Sequence, residues 1–386
     1  MKIVVDENIP LAEQSFGALG DVVLVAGRQL QAADLRDADA LIVRSVTQVN
    51  EHLLKGTPVG FVGSATIGVD HIDQHYLRQN NIAFASAPGC NGRSVAEFVI
   101  TALLELESIR EFDLAGKSVG IIGVGNVGSA LQSLCEPLGL TVLPCDPPRQ
   151  ARGVSGLVSE EEAWQADIVT LHVPYEEKGR FATRHLGDAS RLNALVEGAV
   201  LINTARGAVV DNMALSRVLD SRYDLSVVLD VWEGEPFINR QLANQVDIAT
   251  PHIAGYSYDG KVKGTWMILE ALCRYLNTEP PLRYDNLIDD KLNVVLDFSD
   301  CQIETPQRAI EIIQRVYDMR EDDIGLRTSM QLPREKRALG FDALRKSYRV
   351  RRECSTVVLR GAGYLKSVLS EQQFNRVCAM GFQLIE

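Results

Sequence analysis

Gly123-Val124-Gly125-Asn126-Val127-Gly128 constrains this chain more than any other stretch. The apolar run Val119–Ile122 leads into it, and a helical pattern through Leu131 and Leu134 leads out. In a dinucleotide-binding turn the first glycine permits the tight bend, the second lets the backbone approach a pyrophosphate, and the third lets the helix lie close on the strand. Asn126 and Val127 open that helix, whose free N–H groups and positive dipole end suit phosphate. Asp146 stands 18 residues beyond Gly128, at the end of the apolar run Thr141–Cys145. A carboxylate there accepts hydrogen bonds from ribose hydroxyls and repels a 2′-phosphate, so NAD is expected rather than NADP.

Two α/β series surround this motif. Lys2–Asp6, Val22–Val25, Ala40–Val43, Gly60–Val62 and Ile82–Ala85 read as strands, with amphipathic segments such as Leu11–Leu19 and Asp70–Gln79 between them. Ser94–Ser108 reads as one long helix. The second series has strands at Ser118–Ile122, Thr141–Cys145, Ile168–His172, Ala199–Asn203, Ser226–Asp230 and Val246–Ala249. Such alternation predicts open, mainly parallel sheets in two lobes with a cleft between them. A helical run, Gly260–Leu276, stops before Pro280-Pro281. Beyond Asn286 the pattern changes: Val294–Phe298 and Ser355–Leu359 are strand-like and Gln307–Tyr317 helical.

Open α/β sheets place their sites at the carboxyl ends of strands. Three segments there carry chemistry: Asn203-Thr204-Ala205-Arg206-Gly207, Asp230-Val231-Trp232-Glu233-Gly234-Glu235-Pro236 and Pro251-His252-Ile253-Ala254-Gly255. Arg206 offers a planar fork for a carboxylate. His252 is the candidate acid/base, because imidazole titrates nearest neutral pH. Glu235, in contact with it, would orient the ring and stabilise the imidazolium. Any one of these taken singly is an ordinary structural residue. Their order behind a dinucleotide turn reverses that reading.

In this order the motifs resemble the D-isomer-specific 2-hydroxyacid dehydrogenases over about residues 1–280. Further resemblance lies in Val43-Arg44-Ser45-Val46-Thr47, Gly63–Asp70 and Ala87–Asn91. The resemblance implies an α/β fold with a Rossmann-type NAD-binding domain (94–256) and a flavodoxin-like substrate-binding lobe (1–93 with 257–285). The branch resembled most adds a small α+β C-terminal dimerisation domain, here 286–386, so the partner is a second copy of the chain. The resemblance makes Arg206, Glu235 and His252 catalytic. It makes Gly123, Gly125, Asn126, Val127, Gly128, Asp146, Thr204, Ala205, Arg206, Asp230 and Gly255 NAD contacts, and Ser45, Thr66 and Tyr256 substrate contacts. The reaction implied is hydride transfer from C2 of a small phosphorylated 2-hydroxy acid to NAD. Val173 stands where the family often has Thr, which removes one hydroxyl contact to the cofactor. The rivals are another member of the family, such as 3-phosphoglycerate dehydrogenase, and a non-enzymatic NAD-sensing corepressor-like protein.

Charge narrows the partners. The formal net charge is −12, which disfavours broad binding of nucleic acid or anionic membrane. A doubly anionic substrate then needs local positive charge. Arg44 is the first candidate for its phosphate, and the basic run Arg334–Arg352 is the second. No apolar stretch suits a signal peptide or a membrane span. The seven cysteines show no CxxC pair and no zinc spacing, so no metal is expected. They read as reduced, mostly buried thiols of a cytoplasmic protein, with Cys90 the one to check for reactivity.

Overall fold

The computed structural model describes residues 1–110, 112–287, 294–299 and 305–386. The chain forms two compact units. One runs over Met1–Asn91 and resumes at Ser257, and the other runs over Gly92–Tyr256 and takes in the C-terminal residues through Glu386.

In the first unit, β1 (Lys2–Asp6), β2 (Asp21–Val25), β3 (Ala40–Val43), β4 (Phe61–Ser64) and β5 (Ala83–Ser86) form a parallel sheet in the order β2-β1-β3-β4-β5. This is the flavodoxin-like order. The pleat sends alternate side chains to opposite faces. Ile3, Val5, Ile42 and Phe61 pack against Ile268, Leu269 and Leu272 of the helix Tyr258–Tyr275, while Val4, Leu41, Val43 and Val62 pack on the other side with Leu53 and Leu77. Strands covered on both faces read as nearly continuous apolar runs, as these do.

In the second unit, β6 (Ser118–Ile122), β7 (Thr141–Cys145), β8 (Ile168–Leu171), β9 (Val200–Asn203), β10 (Ser226–Leu229) and β11 (Ile248–Ala249) are all parallel, in the order β11-β10-β9-β8-β6-β7. The direction of winding reverses between β6 and β8, the switch point where such sheets bind ligands. Val119, Ile121, Ile168, Val200, Ile202 and Val228 face the helix Gly92–Ile109, through Val99 and Leu103, and the helix Asn126–Cys135, through Leu131. Leu171, Leu201, Val227 and Leu229 face Trp164, Leu192, Leu215 and Leu242.

The C-terminal residues add a parallel sheet, β12 (Val295–Asp297), β13 (Val358–Arg360) and β14 (Gln383–Ile385), in the order β12-β13-β14. Its helices extend both cores of the second unit: Ile310, Ile313, Leu365 and Val377 join one, and Leu326, Met330 and Phe341 the other. The expected strand Ser355–Leu359 is displaced. Cys354–Thr356 is a 3₁₀ turn, closed by the Thr356 hydroxyl on the Glu353 carbonyl at 2.8 Å, and pairing begins only at Val358. The strand expected at Val246–Ala249 shortens to its last residues, because the Val246 N–H still bonds back to Leu242 of the preceding helix. Cys90, Cys135, Cys145, Cys273 and Cys354 are buried and Cys378 is exposed, while Cys301 lies outside the described residues. Burial pushes the Cys135 and Cys145 thiols up to about 12, away from reactive thiolate. Among the described residues no helix is long and apolar enough to cross a membrane.

Candidate active site

The glycine turn has the predicted anatomy. Gly123 adopts φ +95°, and a Cβ there would lie 2.7 Å from the His172 carbonyl carbon. A Cβ on Gly128 would meet the Gly123 oxygen at 2.1 Å, whereas one on Gly125 would find nothing within 4 Å. Space is therefore left at the middle glycine, where a phosphate has to approach. Gly125 caps the helix Asn126–Cys135 with no side-chain hydrogen bond, so the first N–H groups keep no intrahelical acceptor. Asp146 ends β7 and accepts from the Val124 N–H and the Arg149 N–H, both at 3.0 Å. Each of its oxygens retains a lone pair for a ribose hydroxyl. Gly123, Gly125 and Asp146 line a cleft of about 810 Å3 with His172, Val173, Glu176 and residues 178–186. The residues present fit a dinucleotide: Gly125 and the strand-end carboxylate of Asp146 line one cavity, and Gly125 is itself the cap of the bare helix N-terminus.

His172 was not singled out by sequence reasoning, although it occupies the same strand-end position as the residues that were. Its ring lies between the Thr170 hydroxyl (2.9 Å) and the Thr204 hydroxyl (3.2 Å). Burial drives its pKa down to about 3, so the imidazole is neutral and bridges β8 to the loop after β9.

That loop, Thr204-Ala205-Arg206, is fixed by Asn203, whose side chain accepts from the Ala205 N–H and donates to the Arg206 carbonyl, each at 3.0 Å. A Cβ on the following Gly207 would sit 1.9 Å from the Trp232 carbonyl carbon. Only glycine lets the Arg206 loop pack so closely on the loop after β10. Arg206 itself places Nη1 2.7 Å from the Ala205 carbonyl.

Asp230 is buried at the end of β10. It accepts from the Thr250 hydroxyl (2.6 Å), the Ile253 N–H (2.8 Å) and the Ala254 N–H (3.0 Å), so it braces the His252 loop from beneath. Burial raises its pKa, an effect opposed by the neighbouring His252 and these hydrogen bonds. His252 has φ +58° and lies 2.8 Å from Glu235 through Nδ1. The other Glu235 oxygen accepts the Trp232 N–H at 2.8 Å. Burial alone would raise the Glu235 carboxyl, but the His252 charge and these hydrogen bonds hold it below its ordinary value. An ionised carboxylate can only accept, so Nδ1 carries the proton and Nε2 is the basic nitrogen. The His252 side chain remains 32 % exposed, open to a reactant. Tyr256 stacks edge-on to Tyr348 of the C-terminal residues, 5.7 Å between centroids.

Arg44, Ser45 and Thr66 belong to the first unit, at the carboxyl ends of β3 and β4. Arg44 Nε donates to Asp6 at 3.1 Å, and burial, aided by the Arg44 charge, depresses the Lys261 ammonium to about 8. The Thr66 hydroxyl donates to the Gly68 carbonyl at 3.1 Å. Although sequence spacing predicts no metal set, His185, Asp211 and Glu233 come together in the second unit; the two ring nitrogens face different carboxylates, Glu233 at 2.8 Å and Asp211 at 3.7 Å.

The basic run of the tail divides by role. Arg349 pairs with Asp322 at 2.6 Å. Arg351 is fully buried, lies over the Tyr317 ring and donates to the Ser94 carbonyl (2.7 Å) and the Ala254 carbonyl (3.2 Å). Arg345 turns toward Tyr256, a placement that nothing in the sequence distinguishes from its neighbours.

The profile described as "D-isomer specific 2-hydroxyacid dehydrogenase, NAD binding domain" matches residues 101–254, and one described as a domain of unknown function matches residues 299–376. Erythronate-4-phosphate dehydrogenase of Escherichia coli O81 is 46% identical over 383 residues, 98% of this chain and 99% of that one. The chain belongs to the erythronate-4-phosphate dehydrogenase branch of the D-isomer specific 2-hydroxyacid dehydrogenase family. The Shigella flexneri member of that branch is 45% identical over the same spans. Among solved structures, the NAD+-bound 3-phosphoglycerate dehydrogenase of Entamoeba histolytica aligns with a TM-score of 0.62 at 25% identity, covering 72% of this chain and 95% of that one. The chain is an NAD-dependent 2-hydroxyacid dehydrogenase with a Rossmann domain.

Proposed function

We propose that the chain oxidises 4-phospho-D-erythronate to 3-hydroxy-2-oxo-4-phosphooxybutanoate, a step toward pyridoxine and pyridoxal 5′-phosphate. The observation that carries this reading is the 2.8 Å contact of Glu235 with His252, in a chain 46% identical to dehydrogenases named for that substrate. Bound NAD supplies the hydride acceptor for C2. The Gly123–Gly128 turn and the N–H groups of Asn126 and Val127 hold its pyrophosphate, Asp146 its ribose, and Thr204–Arg206, Asp230 and Gly255 the remainder. His252 Nε2 takes the proton of the C2 hydroxyl. Glu235 then faces an imidazolium, and its negative charge lowers the energy of that state. Arg206 holds the substrate carboxylate through its fork. Ser45, Thr66 and Tyr256 contact the substrate, and Arg44 its phosphate.

We further propose that residues 286–386 form a dimerisation domain pairing two copies of the chain. Ile324 (63 % exposed), Leu339 (69 %) and Val350 (61 %) leave apolar surface there that a second copy would cover. The cytoplasm, where thiols stay reduced, is the compartment this reading implies.

The deciding experiment follows NADH formation on 4-phospho-D-erythronate and on 3-phosphoglycerate. Higher kcat/KM on 4-phospho-D-erythronate is expected. Preference for 3-phosphoglycerate, or turnover of no 2-hydroxy acid, overturns the substrate.

A further inference from the structure

Arg345 belongs to the helix Arg334–Lys346, within the stretch matched by the profile of unknown function and outside the stretch matched by the dehydrogenase profile. Its guanidinium carbon lies 5.6 Å from the Tyr256 ring centroid and 6.0 Å from that of Phe341. Its Nε is buried and has no hydrogen-bond partner. A buried donor left unsatisfied is costly, and it marks a place where a ligand completes the hydrogen bonding. Two further observations say which ligand. Tyr256, against which Arg345 lies, donates its N–H to the Ile253 carbonyl at 2.8 Å, in the loop that carries His252. Arg349 and Arg351 of the same basic run are spent on Asp322 and on backbone carbonyls. Arg345, by contrast, lies against Tyr256 with its Nε unpartnered.

We propose that Arg345 binds the phosphate of the substrate and sets the preference for phosphorylated over unphosphorylated 2-hydroxy acids. This rests on the reading above, in which Arg206 takes the carboxylate. A planar guanidinium suits a phosphate, presenting paired N–H groups to its oxygens. The C-terminal segment thereby supplies specificity that the dehydrogenase domain alone lacks, and Tyr256 keeps the guanidinium in place by lying against it.

The test measures kcat/KM of wild type, Arg345→Gln and Arg345→Lys on 4-phospho-D-erythronate and on D-erythronate, with inorganic phosphate as inhibitor. In Arg345→Gln the ratio of the two kcat/KM values should fall about 30-fold or more, and phosphate inhibition should weaken in parallel. Arg345→Lys, which keeps the charge and loses the fork, should recover part of the ratio. An equal fall on both acids, with a shifted pH profile of kcat, would place Arg345 on Glu235 and overturn the proposal, as would an unchanged ratio. Should the glutamine variant not fold by circular dichroism, the lysine variant decides, with a severalfold fall in the ratio expected and an unchanged ratio refuting it. If wild type does not oxidise 4-phospho-D-erythronate at all, the substrate reading itself fails, before any variant is compared.

Discussion

Glu235 grips His252 with one oxygen and the Trp232 N–H with the other, so the ring is fixed at its Nδ1 edge and exposes the opposite nitrogen. His252→Asn should therefore lower kcat by about 10²–10⁴-fold, while NAD titration by fluorescence stays nearly unchanged; normal turnover would remove His252 from the chemistry. His172 supplies a second test. Its folded pKa, about 3, lies below the ordinary 6.5. The unfolded chain binds that proton first, so stability falls as pH drops from about 6.5 toward 3, by at most about 1.4 kcal/mol per pH unit. Thermal unfolding between pH 7 and pH 5 should show a shallower decline in His172→Gln; an identical decline would assign the effect to other groups. Arg206, Glu235 and His252 stand out in the sequence as candidates because chemistry-bearing types after apolar strands are rare together, and the contact of Glu235 with His252 was legible there. Arg345 was not, because one basic residue in a basic run carries no mark of which way it turns.

The two glycines at the head of the dinucleotide turn separate backbone need from ligand need. Gly123 has positive φ and touches the His172 backbone, while Gly125 borders open space. Gly123→Ala should lower the melting temperature of the protein without cofactor and weaken NAD binding as well. Gly125→Ala should melt as wild type does without NAD but bind NAD at least about tenfold more weakly, since the added methyl occupies the approach to the helix N-terminus. Equal melting losses in both variants would contradict this division. Most strands were readable from their apolar runs, since both sheets are covered on both faces. The short pieces were not: β11 and β13 are set by where a preceding helix or turn releases the backbone, and that depends on hydrogen bonds such as Val246 to Leu242 rather than on residue type.

The C-terminal residues build their own small sheet yet share both cores of the second unit, which tandem sequence patterns cannot reveal because the partners lie far apart along the chain. The proposed pairing of two copies makes a prediction at this scale. Ile324→Glu or Leu339→Glu places charge on the exposed apolar surface of the tail and should yield monomers by sedimentation velocity, with NAD affinity retained; a dimer unchanged in both variants would move the contact elsewhere. Arg351 adds a further consequence. Its guanidinium is the tail's hold on the Ala254 carbonyl, in the loop that carries His252. During synthesis the His252 loop leaves the ribosome about 100 residues before Arg351 does. A chain that has shaped its glycine turn but not yet emitted Arg351 therefore still lacks this buttress of the His252 loop, together with the tail's share of both cores.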